Sequence, residues 1–172
     1  MRIWVDDDGC PRAIMDLLVR TADRRRIPVM RIANRAIPPH ESPLVTAVRV
    51  GSGFDAADRY IAQHLEAGDL VITTDVPLAA EIVARGGLGL SPRGEEFNAE
   101  NAGGKLAMRD LMHDLRASGV VRGGPPSPGQ ADRRRFVDAL DRLLTRLTAS
   151  ARVEGRGDGS KSAAKGRRGS AR

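Results

Sequence analysis

The chain contains a single cysteine, Cys10, so no internal disulfide can staple it, and a reducing cytoplasm is the expected setting. No apolar run approaches the roughly 20 residues that a membrane helix needs. The acids Asp6, Asp7 and Asp8 follow the first residues closely, so no secretory leader is expected. No membrane partner is therefore expected. Aromatics are scarce: Trp4, Phe54, Tyr60, Phe97 and Phe136. That leaves little surface on which single-stranded bases can stack. The glycine stretches 51–53 and 86–89 fit neither a dinucleotide fingerprint nor a P-loop, so no nucleotide cofactor is expected. There is no internal repeat.

What is present suits one folded domain. Hydrophobic residues make up 41% of 172, a normal globular share. The net charge is +6 and the pI about 10.6. That basic excess sits at one end. From Ser150 onward seven Lys or Arg face only Glu154 and Asp158, which leaves residues 1–149 at +1. The expected organisation is a single domain over 1–149 and a disordered basic Gly/Ser/Ala/Arg-rich tail over 150–172. Such a tail can hold nucleic acid by counterion release; its expected role is that of a solvated extension.

Short apolar runs alternate with helical periodicity. Residues 2–5 read as a buried first strand. Pro11 suits the first position of a helix, and Ile14, Leu17, Leu18 and Ala22 follow at helical spacing. A second strand is expected over 27–33, ending at Asn34, and a third over 44–50. Asp55 suits the cap of a helix with Tyr60, Ile61, His64 and Leu65 on its inner face. A strand over 70–74 stops at Asp75, and Pro77 opens the next helix. Residues 88–90 suit a short fifth strand, and helices are expected over 104–117 and 129–148. This alternation predicts an α/β fold with a parallel sheet and crossover helices.

Ligands of open α/β sheets bind beyond the carboxyl ends of the strands. Asp6 and Asp8 fall just past the first strand, and Asp75 just past the strand 70–74. Asp55 and Asp58 fall in the first turn of the helix after the third strand. Segments far apart in sequence thus bring acids to one rim. Two unit charges about 4 Å apart repel by roughly 4 kcal/mol at an effective dielectric near 20. Such a cluster needs protons, cations or distance. Mg²⁺ or Mn²⁺ meets that need, because hard cations prefer carboxylate oxygen. A metal held this way activates water and clamps a phosphoryl oxygen.

Each acid also has a plainer role. Asp55 and Asp58 suit a helix cap and first turn, the acids 6–8 a favourable charge before a helix, and Asp75 a turn. Asp7 should point away from Asp6 and Asp8 if the backbone stays extended. Cys10 is expected to be a packed thiol. His40, His64 and His113 show no metal-ligand spacing. Arg93 and Arg109 are candidates to contact a phosphate, with ordinary loop and helix arginines as the default.

The runs Asp6-Asp-Asp-Gly-Cys10-Pro11, Gly53-Phe-Asp55-Ala-Ala-Asp58 and Gly68-Asp-Leu-Val-Ile-Thr-Thr-Asp75-Val-Pro-Leu-Ala79 resemble the YaiI/YqxD family, also called UPF0178 or DUF188. Pro92-Arg93-Gly94, Met108-Arg109-Asp110 and the loop 119–125 match too, so the resemblance covers residues 1–148. The family pattern usually has alanine where this chain has Asp7 and Gly9. The family consists of bacterial proteins grouped with PIN-like domains, many of which are Mg²⁺- or Mn²⁺-dependent nucleases. The resemblance therefore implies a PIN-like three-layer α/β/α fold with a mainly parallel central sheet. It implies Asp6, Asp58 and Asp75 as catalytic and metal-binding acids, with Asp8 and Asp55 as helpers. Asn34 would be a rim residue beside the substrate.

The leading expectation is a divalent-metal-dependent nuclease or phosphodiesterase acting on RNA. The alternative is a non-catalytic module that binds RNA or protein, its acids retaining a structural cation. A lesser alternative is a phosphatase of the haloacid-dehalogenase type, suggested by Asp6-Asp7-Asp8-Gly9 after an apolar strand. That chemistry needs a lysine near the site, and the domain has only Lys105.

Overall fold

The computed structural model describes residues 1–53, 55–121 and 128–157. In chain order the elements are β1 (Ile3–Asp6), α1 (Arg12–Arg25), β2 (Val29–Ala33), β3 (Val45–Arg49), α2 (Ala56–His64) and β4 (Leu70–Ile72). They continue with α3 (Val76–Ala84), β5 (Leu88–Leu90), β6 (Glu96–Phe97), α4 (Ala102–Ala117) and α5 (Gln130–Gly157). The strands form one sheet in the order β3-β2-β1-β4-β5-β6. Every pairing is parallel except that of β5 with β6.

Alternation along the strands sorts the core onto two faces. Ile3 and Val5 pack with Ile14 and Leu18 of α1 and with Phe136 and Leu140 of α5. Trp4, between them, faces the other way, onto Ile61 of α2 and Leu78 and Ile82 of α3. Helices therefore cover both faces of a mostly parallel sheet, the expected α/β/α arrangement. Central strands buried on both faces read as continuous apolar runs, and β1 and β4 do so. Helix α4 lies outside α3 and buries little beyond Ala102.

At the amino ends of the strands, Asp69 is buried and fully engaged. It accepts the Arg2 amide at 2.6 Å, the Trp4 indole N–H at 2.8 Å and the Glu66 amide at 3.1 Å. These bonds tie β1 to the turn before β4, on the side of the sheet away from the acids of interest.

Several expectations shift. Pro11 stands at the N-cap of α1 rather than inside it. The strands β2, β3 and β4 are shorter than their apolar runs, because the ladder stops where the chain turns into a helix or loop. His64 is exposed and stacks on Tyr60, with ring centroids 4.0 Å apart, rather than facing inward. The edge strand β6 is too short to have a sequence period. Helix α5 continues to Gly157, past the expected boundary at 149. The rest of the expected tail, 158–172, lies outside the described residues, as do Phe54 and 122–127. Among the described residues no helix is long and apolar enough to cross a membrane.

Candidate functional site

From β1 the chain builds the sheet outward through β2 and β3; from β4 it builds the opposite way through β5 and β6. The seam between β1 and β4 is where an open α/β sheet leaves a crevice at its carboxyl edge. An open cavity of about 360 Å³ lies there. Asp6, Asp8, Asn34, Asp55, Asp58 and Asp75 all line it, together with Gly53 and Thr74. The five acids expected from sequence thus meet at one cavity, with Asn34 on its wall.

Asp6 ends β1. Thr73 Oγ1 donates to Asp6 Oδ2 at 3.2 Å, and the same oxygen of Thr73 accepts the Asp75 amide at 2.9 Å. A buried threonine therefore bridges two of the acids. Gly9 closes over the same carboxylate. A Cβ at that position would lie 2.8 Å from Thr74 Oγ1 and 3.0 Å from Asp6 Oδ2. Burial raises the pKa of Asp6, and the charges of Asp8 and Asp75 add to this. Hydrogen bonds from Thr73 and the Gly9 backbone oppose it.

Asp58 lies in the first turn of α2, and its pKa is pushed up to about 6. Desolvation is the largest cause, followed by the charges of Asp6, Asp75, Asp55 and Glu81. These acids come from separate segments, so their mutual repulsion is a product of the fold.

The plainer roles hold for one acid and fail for another. Asp75 is the N-cap of α3, accepting the Leu78 amide at 2.7 Å. Asp55 occupies the N-cap position of α2, but its carboxylate caps nothing. Its backbone is left-handed, φ 53° and ψ 24°, whereas a capping side chain works from an extended backbone. The expected capping role of Asp55 is thereby corrected. Asp8 is held by Arg35 Nε at 2.9 Å and by the Asn34 amide at 3.1 Å. Asp7 is buried and turned away, bound by Arg31 Nε and Arg35 Nη2, each at 2.8 Å.

A second cavity of about 300 Å³ shares Asp55, Asp58 and Asp75 and adds Arg59, Glu81 and Arg109. Arg109 also pairs with Asp110 at 2.9 Å. Arg59 escaped the sequence reading, as did Thr73 and Gly9. The one hint was their position, each within three residues of a rim aspartate. Arg93 lies elsewhere. It pairs with Asp132 at 3.5 Å beside the start of α5 and lines neither acidic cavity. Lys105 pairs with Glu95 at 3.4 Å over the Phe97 ring, also away from the acids.

The donors present are hard oxygens: five carboxylates, the Asn34 amide and the Thr74 hydroxyl. That set suits Mg²⁺ or Mn²⁺. Among the described residues no three acids, histidines or cysteines stand close enough to enclose an ion. Mg²⁺ requires no such cage, since it is usually held through one or two carboxylates and keeps its waters.

The sequence model of an uncharacterised family, YaiI/YqxD (DUF188), matches residues 4–146. A UPF0178 protein of Geobacter metallireducens is 54% identical over 147 residues, covering 86% of this chain and 95% of the relative. One of Geobacter sulfurreducens is 52% identical over 148 residues, covering 86% and 98%. One of Bordetella avium is 50% identical over 151 residues, covering 88% and 98%.

Proposed function

The chain belongs to the YaiI/YqxD (DUF188, UPF0178) family, and from the chemistry of its acidic cavity we propose that it is a PIN-like, Mg²⁺- or Mn²⁺-dependent phosphodiesterase acting on RNA. One observation carries the reading. Five carboxylates from three segments share a cavity at the topological switch of the sheet, where their mutual repulsion favours a divalent cation. A cytoplasmic setting, with both RNA and Mg²⁺ present, belongs to the same reading.

In this reading Asp6, Asp58 and Asp75 hold the cation, and Asp8 and Asp55 complete the field around it. The cation supplies Lewis-acid stabilisation of a phosphoryl oxygen and acidifies water. Thr73 fixes the orientation of Asp6. The raised pKa of Asp58, about 6 without metal, reflects burial and the crowding of acids that a bound cation would relieve. Arg59 and Arg109 hold the phosphodiester beside Asp58, and Asn34 donates to it from the wall of the acidic cavity.

Calorimetric titration of Mn²⁺ and Mg²⁺ into wild type and Asp75→Asn tests this, followed by cleavage of a labelled RNA. Asparagine also caps helices, so the variant keeps α3 while losing the charge. Loss of both binding and cleavage is expected. Wild-type behaviour in the variant would remove the site assignment.

The non-catalytic module stays as a second reading, favoured by the lack of a preassembled three-ligand group among the described residues. Wild type that binds no metal at millimolar concentration would favour it. The phosphatase reading loses its support, because Lys105 is engaged elsewhere.

A further inference from the structure

A cavity of about 430 Å³ opens between the start of α1 and the loop after β2, and it shares no lining residue with the acidic cavity. Three arginines line it: Arg12, Arg31 and Arg35. Two are held in place from below. Buried Asp7 takes Arg31 on one oxygen and Arg35 on the other, each at 2.8 Å. Neither guanidinium is used up. Arg31 spends Nε on Asp7 and Nη1 on the Pro38 carbonyl at 3.5 Å, which leaves Nη2. Arg35 spends Nε on Asp8 and Nη2 on Asp7, which leaves Nη1.

The third, Arg12, has no hydrogen-bond or ion-pair partner among the described residues. It opens a helix with no side-chain cap and no acid in its first turn. The positive end of that helix dipole is therefore uncompensated at the cavity. His40 adds a donor: its Nδ1 accepts the Ser42 amide at 3.0 Å, so Nε2 carries the proton.

Two acids and a thiol also line the cavity. Asp7 and Asp8 together balance Arg31 and Arg35, and Asp16 is exposed, so the unbalanced positive charge at the cavity comes from Arg12 and the helix end. Burial pushes the Cys10 thiol up to about 12, so it adds no negative charge.

We propose that this cavity is a binding site for a phosphate-class dianion, either free or at the end of a nucleic-acid strand. The residues fit that ligand: guanidinium forks already oriented by a buried carboxylate lose little freedom on binding and match phosphate oxygens in pairs. The site stands apart from the metal reading, because it needs no metal and uses different side chains. Arg35 alone touches both, through Asp8.

The test titrates inorganic phosphate into the full chain by calorimetry, with EDTA and at fixed ionic strength. Saturable binding is expected in wild type, about tenfold weaker in Arg12→Ala and abolished in Arg12→Glu. Arg20→Glu makes the same charge change on the same helix outside the cavity and should bind as wild type does. A second arm compares 5′-phosphorylated and 5′-hydroxyl RNA strands. A preference for the phosphorylated strand that disappears in Arg12→Glu identifies the strand end as the source. Phosphate binding without that preference identifies the free ion. No saturable binding in wild type, or equal binding in Arg12→Glu, would overturn the proposal.

Discussion

The Thr73 hydroxyl bridges β4 to β1 by donating to Asp6 Oδ2 at 3.2 Å. Since the same oxygen accepts the Asp75 amide at 2.9 Å, one buried side chain sets the position of two rim acids. Thr73→Val keeps the shape and deletes both bonds. It leaves the Asp75 amide without that partner and Asp6 with the Gly9 backbone bond alone, a loss of about 1–3 kcal/mol, readable by urea unfolding. Removing a group that orients a metal ligand typically costs 10–100-fold in affinity, so calorimetry should show Mn²⁺ binding weakened in that range. A valine variant with full affinity would mean that Thr73 does not orient Asp6 for metal.

Asp58 ties stability to pH. Its folded pKa, about 6, lies above the usual 3.8, so the fold favours the protonated form. The associated stability is present in full below the unfolded pKa and is lost as pH rises through 6. Asp6 is shifted in the same direction and adds to the effect. Asp58→Asn should therefore raise Tm at pH 8 without metal and give no gain at pH 4. Because Asp58 is partly exposed, solvent screens the repulsion. The gain is about 2–4 °C, corresponding to about 1 kcal/mol. An equal Tm for the two proteins at pH 8 would show that neither burial nor the neighbouring acids penalise the ionised form of Asp58.

The sequence carried the fold well because the strongest signals were local: β-branched apolar runs such as Leu70–Ile72 and amphipathic runs such as Ile14 to Ala22. The rim acids were legible for the same reason, since each ends an apolar run or opens a helix. What was not legible depended on pairing across the sheet. Thr73 matters because β4 lies beside β1, and nothing in its neighbours in sequence says so. Arg93 is a phosphate candidate by residue type, but it pairs with Asp132, far along the chain, and lines neither acidic cavity. Asp55 misled in the opposite direction: residue type and spacing suggested a cap, and only its backbone angle shows that the carboxylate is spare.

That backbone angle separates two roles of Asp55. A left-handed conformation costs an L-residue about 1–2 kcal/mol that glycine does not lose. Asp55→Gly should therefore melt no lower than wild type, while Asp55→Ala, which keeps the strain without any compensating polar group, should melt lower than Asp55→Gly. Both variants lose the same carboxylate, so both should bind Mn²⁺ more weakly by the same factor. Thermal melts and calorimetry on the pair read the two effects independently. Different metal affinities in the two variants would tie binding to the loop's conformation instead of to the charge.

Asp7 is the acid that proximity alone would misassign. It stands between two rim acids in sequence, yet it is buried against Arg31 and Arg35 and lines no part of the acidic cavity. Removing one member of a buried ion cluster strands the charges that remain, at about 3–5 kcal/mol. Asp7→Ala should thus be the most destabilising single aspartate substitution at this end of the sheet. Removing Arg31 as well relieves part of the stranded charge, so Asp7→Ala with Arg31→Ala should cost less than the sum of the two single changes, a coupling read from a double-mutant cycle in urea. The metal stoichiometry of folded Asp7→Ala should match wild type, because its carboxylate faces the arginines. An additive cycle, or a lost metal equivalent, would move Asp7 from the scaffold into the site.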